Sequence, residues 1–167
     1  MDNIYLDYAA TTPVDERVTA AMQPYFTQVF GNPSSLHRFG QQAESALEKS
    51  RRELAGFLGA KPSEIIFTSC GSESDNLAVR GAAFSARQKS SANHLLISPI
   101  EHPAVLKTAS QLADLHGFDL SFLPVDKYGM VSPAGVKENL KEDTFLVSVM
   151  QANNEIGTIN PIAEIGD

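Results

Sequence analysis

The stretch Phe67-Thr68-Ser69-Cys70-Gly71-Ser72-Glu73-Ser74-Asp75-Asn76 decides how the chain is read. Ile65-Ile66-Phe67 lead into it, apolar and β-branched, and short enough for a buried strand. Asn76 to Phe84 follows and reads as a helix. Between them lie Ser69, Gly71, Ser72 and Ser74. A strand that turns through small residues into a helix leaves backbone N–H groups pointing out of the helix N-terminus. Serine hydroxyls add donors, so the stretch suits a phosphate without a Walker or Rossmann signature. A plain helix cap also explains it, because Ser72 with Asp75 three residues on resembles a capping box. Taken alone, the stretch favours the plain cap, and other stretches change that balance.

Working outward, strands and helices alternate. The spacing of Val18, Met22 and Tyr25 predicts a helix from Asp15 to Phe26. Gly31-Asn32-Pro33-Ser34-Ser35 is a turn-rich break, with His37 and Arg38 just after it. Ala43, Ala46, Leu47, Ser50, Leu54, Phe57 and Leu58 line one face of the next helix, and Gly59 stops it. Downstream, His94-Leu95-Leu96-Ile97-Ser98 reads as a strand. Pro103 suits the first position of a helix that runs to His116 and ends at Gly117, which puts His102 at the cap. Phe118–Leu123 reads as a half-buried strand, Asp126–Gly129 as a turn, Ser132 as the cap of a short helix, and Phe145–Met150 as a strand apolar on both faces. Pro161–Asp167 reads as the opening of another helix.

This alternation argues an α/β protein with a parallel sheet covered by helices. Ligands collect at the carboxyl ends of the strands in such sheets. Ser69–Ser74, Glu101–Pro103 and Gln151–Thr158 are polar loops that each follow an apolar strand, and together they mark one edge as a site.

Composition bounds the function. The 167 residues carry 43% apolar and 20% charged residues and a net charge of −7, as expected of a globular domain. No basic stripe suggests nucleic acid, and no apolar run is long enough for a bilayer. The amino terminus has no signal-peptide pattern, so a cytoplasmic protein is expected. One cysteine excludes an internal disulfide and a cysteine-rich metal site. At the marked edge, serine donors suit a phosphate, His102 can lie flat on an aromatic ring, and Asn154 can contact a phenolic oxygen or a carboxylate. The set suits a phosphorylated aromatic cofactor such as pyridoxal phosphate. Each residue alone also has a plain reading as a cap or a turn.

The combination resembles the N-terminal part of the cysteine desulfurases of the NifS/IscS group, within the class V aminotransferase family. The matching segments are IYLDYAATTPVD (4–15), FGNPSSLHRFG (30–40), EIIFTSCGSESDNLA (64–78), IEHPAV (100–105) and LVSVMQANNEIGTINPI (146–162). The resemblance implies the large domain of a fold type I, aspartate aminotransferase-like enzyme, with residues 1–14 as an arm belonging to the small domain and 15–167 as the first part of the cofactor-binding domain. It gives Gly71 and Ser72 the cofactor phosphate, and His102 the place of the ring stacked on the pyridine, with an acid–base role. Asn154 takes the phenolic oxygen and the substrate carboxylate. Asn32 takes a substrate contact, and His37 shares its loop. Gln151 departs from the histidine often found there and is assigned nothing. No metal is implied.

The resemblance also implies a lysine bonded to the cofactor in a Ser-x-His-Lys setting, a carboxylate on the pyridinium nitrogen and a mobile-loop cysteine. The sequence holds no such lysine segment, and Cys70 does not match that cysteine; a small buried packing residue is expected there. The implied reaction takes L-cysteine to L-alanine and a persulfide, whose sulfur passes to an iron–sulfur scaffold or another acceptor. The chain is therefore expected to be a portion that works only in a homodimer or with a complementary C-terminal chain, and to be inactive alone. A selenocysteine lyase or a non-catalytic binding protein is the alternative.

Overall fold

A computed structural model describes residues 4–167 and divides the chain after Phe67 into two compact units. The first unit is built on two helices. Helix α1 (Glu16–Thr27) starts at Asp15, whose carboxylate accepts the Arg17 N–H at 2.8 Å. Helix α2 (Arg38–Leu58) ends at Gly59, which adopts φ +66° as the left-handed cap that the sequence predicts. Its predicted apolar face is only partly covered: Ala43 and Ala46 are half-buried, but Leu47, Leu54, Phe57 and Leu58 are exposed, while Ala55, outside that predicted face, is buried. The loop before it packs backbone on backbone. A Cβ on Gly40 would lie 2.1 Å from the Ser35 carbonyl oxygen, and one on Gly31 would lie 2.2 Å from that of Phe39. The strand predicted at Ile65–Phe67 does not form. The segment leaves a short 3-10 turn (Pro62–Glu64) in extended geometry, but no strand pairs with it among the described residues. Extended geometry without a ladder is not a strand, whatever the side chains prefer.

The second unit, Thr68–Asp167, is a parallel sheet with helices on both faces. Helix α3 (Gly71–Ser90) precedes β1 (His94–Ile97). Helix α4 (Pro103–His116), β2 (Asp119–Phe122), α5 (Pro133–Asn139), β3 (Thr144–Ser148) and α6 (Ile162–Gly166) follow. The strand order is β2-β1-β3, with both pairings parallel. Central β1 is buried along its length. Leu95 and Ile97 face Val79 and Ala83 of α3 and Ala109 and Leu112 of α4. Leu96 points the other way, onto Leu123, Val131 and Val136. The two-residue alternation of a strand thus feeds two cores. β2 and β3 pair on one side only, which leaves them half covered. β3 also stops at Ser148, two residues short of the predicted end, because the Met150 N–H goes to the Glu101 carboxylate instead of the ladder.

The caps follow the sequence. Gly117 closes α4 at φ +66°, and the Ser132 hydroxyl accepts the Gly135 N–H at 3.0 Å. His94 is fully buried at the start of β1. Its Nδ1 lies 2.7 Å from Thr144 Oγ1, while Nε2 has no partner. Among the described residues no helix is long and apolar enough to cross a membrane, and no group of three His, Cys, Asp or Glu could hold a metal ion.

Two predictions follow from this core. Leu96 is fully buried, so Leu96→Ala should cost ~2–5 kcal/mol, read as a lower urea midpoint. Burial holds the His94 pKa below its ordinary value, with Lys141 adding to the effect against the opposing carboxylates of Asp119 and Asp143. The unfolded chain therefore takes up its proton first. The stability that neutral His94 supplies is complete above the unfolded value of about 6.5 and is lost as pH falls below it. Thermal midpoints should drop between pH 7.5 and 5.5, and His94→Gln should flatten that dependence.

Candidate functional site

Helix α3 begins at Gly71, with Cys70 in the cap position. Ser72 therefore sits inside the first turn and does not cap the helix as the sequence suggested; the reach-back comes from Glu73. Its carboxylate accepts the Ser69 N–H at 2.7 Å and the Ser69 hydroxyl at 2.6 Å. Cys70 is exposed, not buried as expected, because it stands at the open end of the helix. The N–H of Glu73 and the hydroxyl of Ser69 hold its thiol below the ordinary pKa. A Cβ on Gly71 would meet nothing within 4 Å, so the flank of the helix end is open. Gly71 and Ser72 are both exposed there.

Helix α4 presents His102 at a second helix N-terminus. Its Nδ1 accepts the Ala104 N–H at 3.1 Å, so in the neutral ring the proton sits on Nε2. The two helix starts are tied together by side chains that the sequence reading passed over. Asn76 donates to the Ser72 carbonyl at 2.8 Å and accepts the Thr108 hydroxyl at 2.7 Å. Arg80 reaches Gln111 across the same interface.

The third loop follows β3. Asn153 donates to the Ile100 carbonyl at 2.8 Å and accepts the N–H groups of Glu155 and Ile156. Buried Asn160 accepts the Val131 N–H at 2.9 Å and donates to the Met150 carbonyl at 2.8 Å. The Thr158 hydroxyl donates to the Tyr128 carbonyl. Glu101 is only 8% exposed. Its carboxylate accepts the Met150 N–H and, at 3.2 Å, the Ser148 hydroxyl. Burial pushes its pKa above the ordinary value, and those hydrogen bonds oppose the rise.

These loops line two adjoining open clefts that share His102 and Pro103. One, of about 370 Å³, is lined by Ser72, Asn76 and Lys107; the other, of about 260 Å³, is lined by Glu101, Asn153 and Asn154. Ser72, His102 and Asn154 are thus brought to one edge, with Gly71 beside Ser72. Asn154 is exposed. Larger grooves of about 470 and 590 Å³ run along α1 and α2 but hold none of the predicted site residues. Asn32 belongs to the first unit, where its carboxamide accepts the Ser34 N–H at 2.9 Å. His37 caps α2 there, accepting the Gly40 N–H. The sequence reading missed Glu101, Asn76, Thr108 and Asn153. Only Glu101 left a signal, as a lone carboxylate between an apolar strand end and His102.

Comparison with known proteins points one way. The model of the Aminotransferase class-V family matches residues 4–167. The cysteine desulfurase IscS of Methanosarcina thermophila is 51% identical over 164 residues, covering 98% of this chain and 40% of the relative. That of Dictyoglomus turgidum is 49% identical over 162 residues, covering 97% and 40%. Among solved structures, a NifS-like protein superposes with a TM-score of 0.87 at 42% identity, covering 95% of this chain and 42% of that one. A structure of SspA in complex with cysteine gives a TM-score of 0.88 at 42% identity, covering 97% and 46%. The chain spans about 40% of the length of these curated relatives.

Cys70 supplies a direct probe of the helix end. At pH 7.5 iodoacetamide should alkylate it faster than a free thiol, because more of it is thiolate. The pH profile of the rate should have its midpoint below that of a free thiol run alongside.

Proposed function

Because the chain belongs to the class-V aminotransferase family, we propose that it is the N-terminal part of a cysteine desulfurase, which converts L-cysteine to L-alanine and hands the sulfur to an acceptor protein. The observation that carries this reading is the placing of His102 between a cavity lined by Ser72 and one lined by Asn154, in a chain about half identical to desulfurases.

The residues fit pyridoxal phosphate. The open flank at Gly71 and the first-turn donors suit a dianion, and the α3 dipole favours it. When bound, the cofactor supplies an electron sink for charge that develops on the substrate carbon. Gly71 and Ser72 hold its phosphate, with the Ser72 hydroxyl as an added donor. His102 would lie against the ring with its proton on Nε2, since the Ala104 N–H occupies Nδ1. Asn154 orients the phenolic oxygen and the substrate carboxylate. Asn32 keeps a substrate contact on the resemblance alone.

Residues 15–167 are read as the first part of the cofactor-binding domain and 1–14 as an arm of the small domain, of which 1–3 lie outside the described residues. The cofactor-bonding lysine and the sulfur-accepting cysteine are assigned to sequence outside these 167 residues. The sulfur acceptor is read as an iron–sulfur scaffold or a thiolation protein, and the assembly as a homodimer.

Coexpression with the C-terminal portion of a related desulfurase tests the reading. The pair should release equal amounts of alanine and sulfide from L-cysteine with a thiol reductant, and the chain alone none. Within the pair, Ser72→Ala should weaken retention of pyridoxal phosphate by ~10-fold, the loss of one charge-assisted hydrogen bond. His102→Ala should lower kcat by ~100-fold or more. A pair that retains the cofactor but makes no alanine would sink the desulfurase reading. Turnover by the chain alone, shown by denaturing mass spectrometry to be one polypeptide, would overturn the assignment of the lysine and cysteine.

A further inference from the structure

Each of the two loops that line the smaller cavity repeats one arrangement: an anchored residue comes directly before an exposed one. Buried Glu101 precedes His102, and half-buried Asn153 precedes Asn154. Each anchor bonds to the other's segment. Glu101, in the loop after β1, accepts from Ser148 and Met150 at the end of β3. Asn153, in the loop after β3, donates to the Ile100 carbonyl in the loop after β1. We propose that Glu101 and Asn153 are positioning residues that cross-tie these two loops and so set His102 and Asn154 in the lining of one cavity. This rests on the cofactor-site reading given above.

Three features support a positioning role over a merely cohesive one. Both anchors are polar, although apolar filling is the usual way to stabilise two adjacent strand ends. Both side chains use several of their hydrogen-bonding atoms. Both carboxylate oxygens of Glu101 accept, and Asn153 uses its Oδ1 for Glu155 and Ile156 while its Nδ2 crosses to Ile100. Each anchor also stands directly before the exposed side chain it sets, and the tie from Asn153 ends at Ile100, two residues before His102. Ile100 itself packs toward Gly129, where a Cβ would come within 3.3 Å of it, so the tied loop rests on a filled floor. Neither anchor is assigned contact with cofactor or substrate.

Hydrogen exchange on the 167-residue chain, followed by mass spectrometry, reads the tie without any cofactor. Glu101→Leu should speed exchange by ~10-fold or more both in peptides spanning 98–104 and in those spanning 149–158. Asn153→Ala should do the same from the other side, and it carries the test where Glu101→Leu does not fold. Glu101→Gln keeps an acceptor for the Met150 N–H in the same shape and should stay close to the parent. Loosening confined to the substituted loop, or spread evenly over the whole second unit, would overturn the cross-tie.

In the assembled desulfurase, Glu101→Leu should lower kcat by ~100-fold, as expected for a catalytic group displaced by about an ångström. Retention of pyridoxal phosphate should fall less than it does for Ser72→Ala, because the phosphate donors at the start of α3 stay in place. An unchanged kcat with both loops loosened would overturn the positioning role. A parent assembly that binds no cofactor, with reciprocal loosening intact, would instead count against the desulfurase reading and leave the tie standing.

Discussion

The second unit depends on the burial of β1 on both faces. Leu95 and Ile97 enter one core and Leu96 the other, so neither face can be left to water. A parallel pairing cannot be closed by a tight turn, so each strand must be followed by a crossover that covers a face. Helices α3 and α4 pack on one side, and α5 and α6 on the other. The same topology sends the chain out of β1 and β3 at one edge of the sheet. The site stands at that edge because the connectivity leaves polar loops there and apolar strands behind them.

At this edge the donors come mostly from backbone. Helices α3 and α4 both begin there, and each start carries unpaired N–H groups and partial positive charge. Their local chemistry differs. The α3 start is open beside Gly71 and faces small hydroxyl residues, which suits a phosphate. The α4 start is occupied by the His102 ring, whose Nδ1 takes up the Ala104 N–H. The second helix end is therefore spent on orienting a ring. Asn76 links the two starts by bonding Ser72 on one side and Thr108 on the other.

Features set by neighbours in sequence were legible from the sequence. Gly59, Gly117 and Ser132 end or begin their helices where their backbone and side-chain preferences require. The gathering of His102 and Asn154 followed from the alternation of strand and helix, since their loops leave β1 and β3, whereas Ser72 joins them through the packing of α3 on α4, the strand expected before it being absent. Features set by distant partners were not legible. Ile65–Phe67 has strand chemistry but no ladder, since pairing is a property of two segments. β3 ends early because a carboxylate 49 positions upstream in the chain takes its next N–H. Cys70 has the composition of a packing residue, and only its place at a helix end exposes it. Glu101 shows in the sequence as a lone carboxylate beside His102, but its tie to the end of β3 does not.

That carboxylate shows what the fold protects. Burying a charge is costly, and an apolar residue of similar volume commonly holds two elements together at least as well. An apolar residue cannot, however, accept the Met150 N–H, and an unpaired N–H beside the sheet would carry its own penalty. The directed bond also does what packing does not: it fixes where the chain leaves β3, and so the register of every residue from Met150 to Asn160. Asn160 and Thr158 extend that control by bonding Val131, Met150 and Tyr128. At the opposite edge, His94 is buried with one ring nitrogen unpartnered. Polar satisfaction is thus more complete at the end where loops must be held to a geometry than at the end where the strand only has to begin.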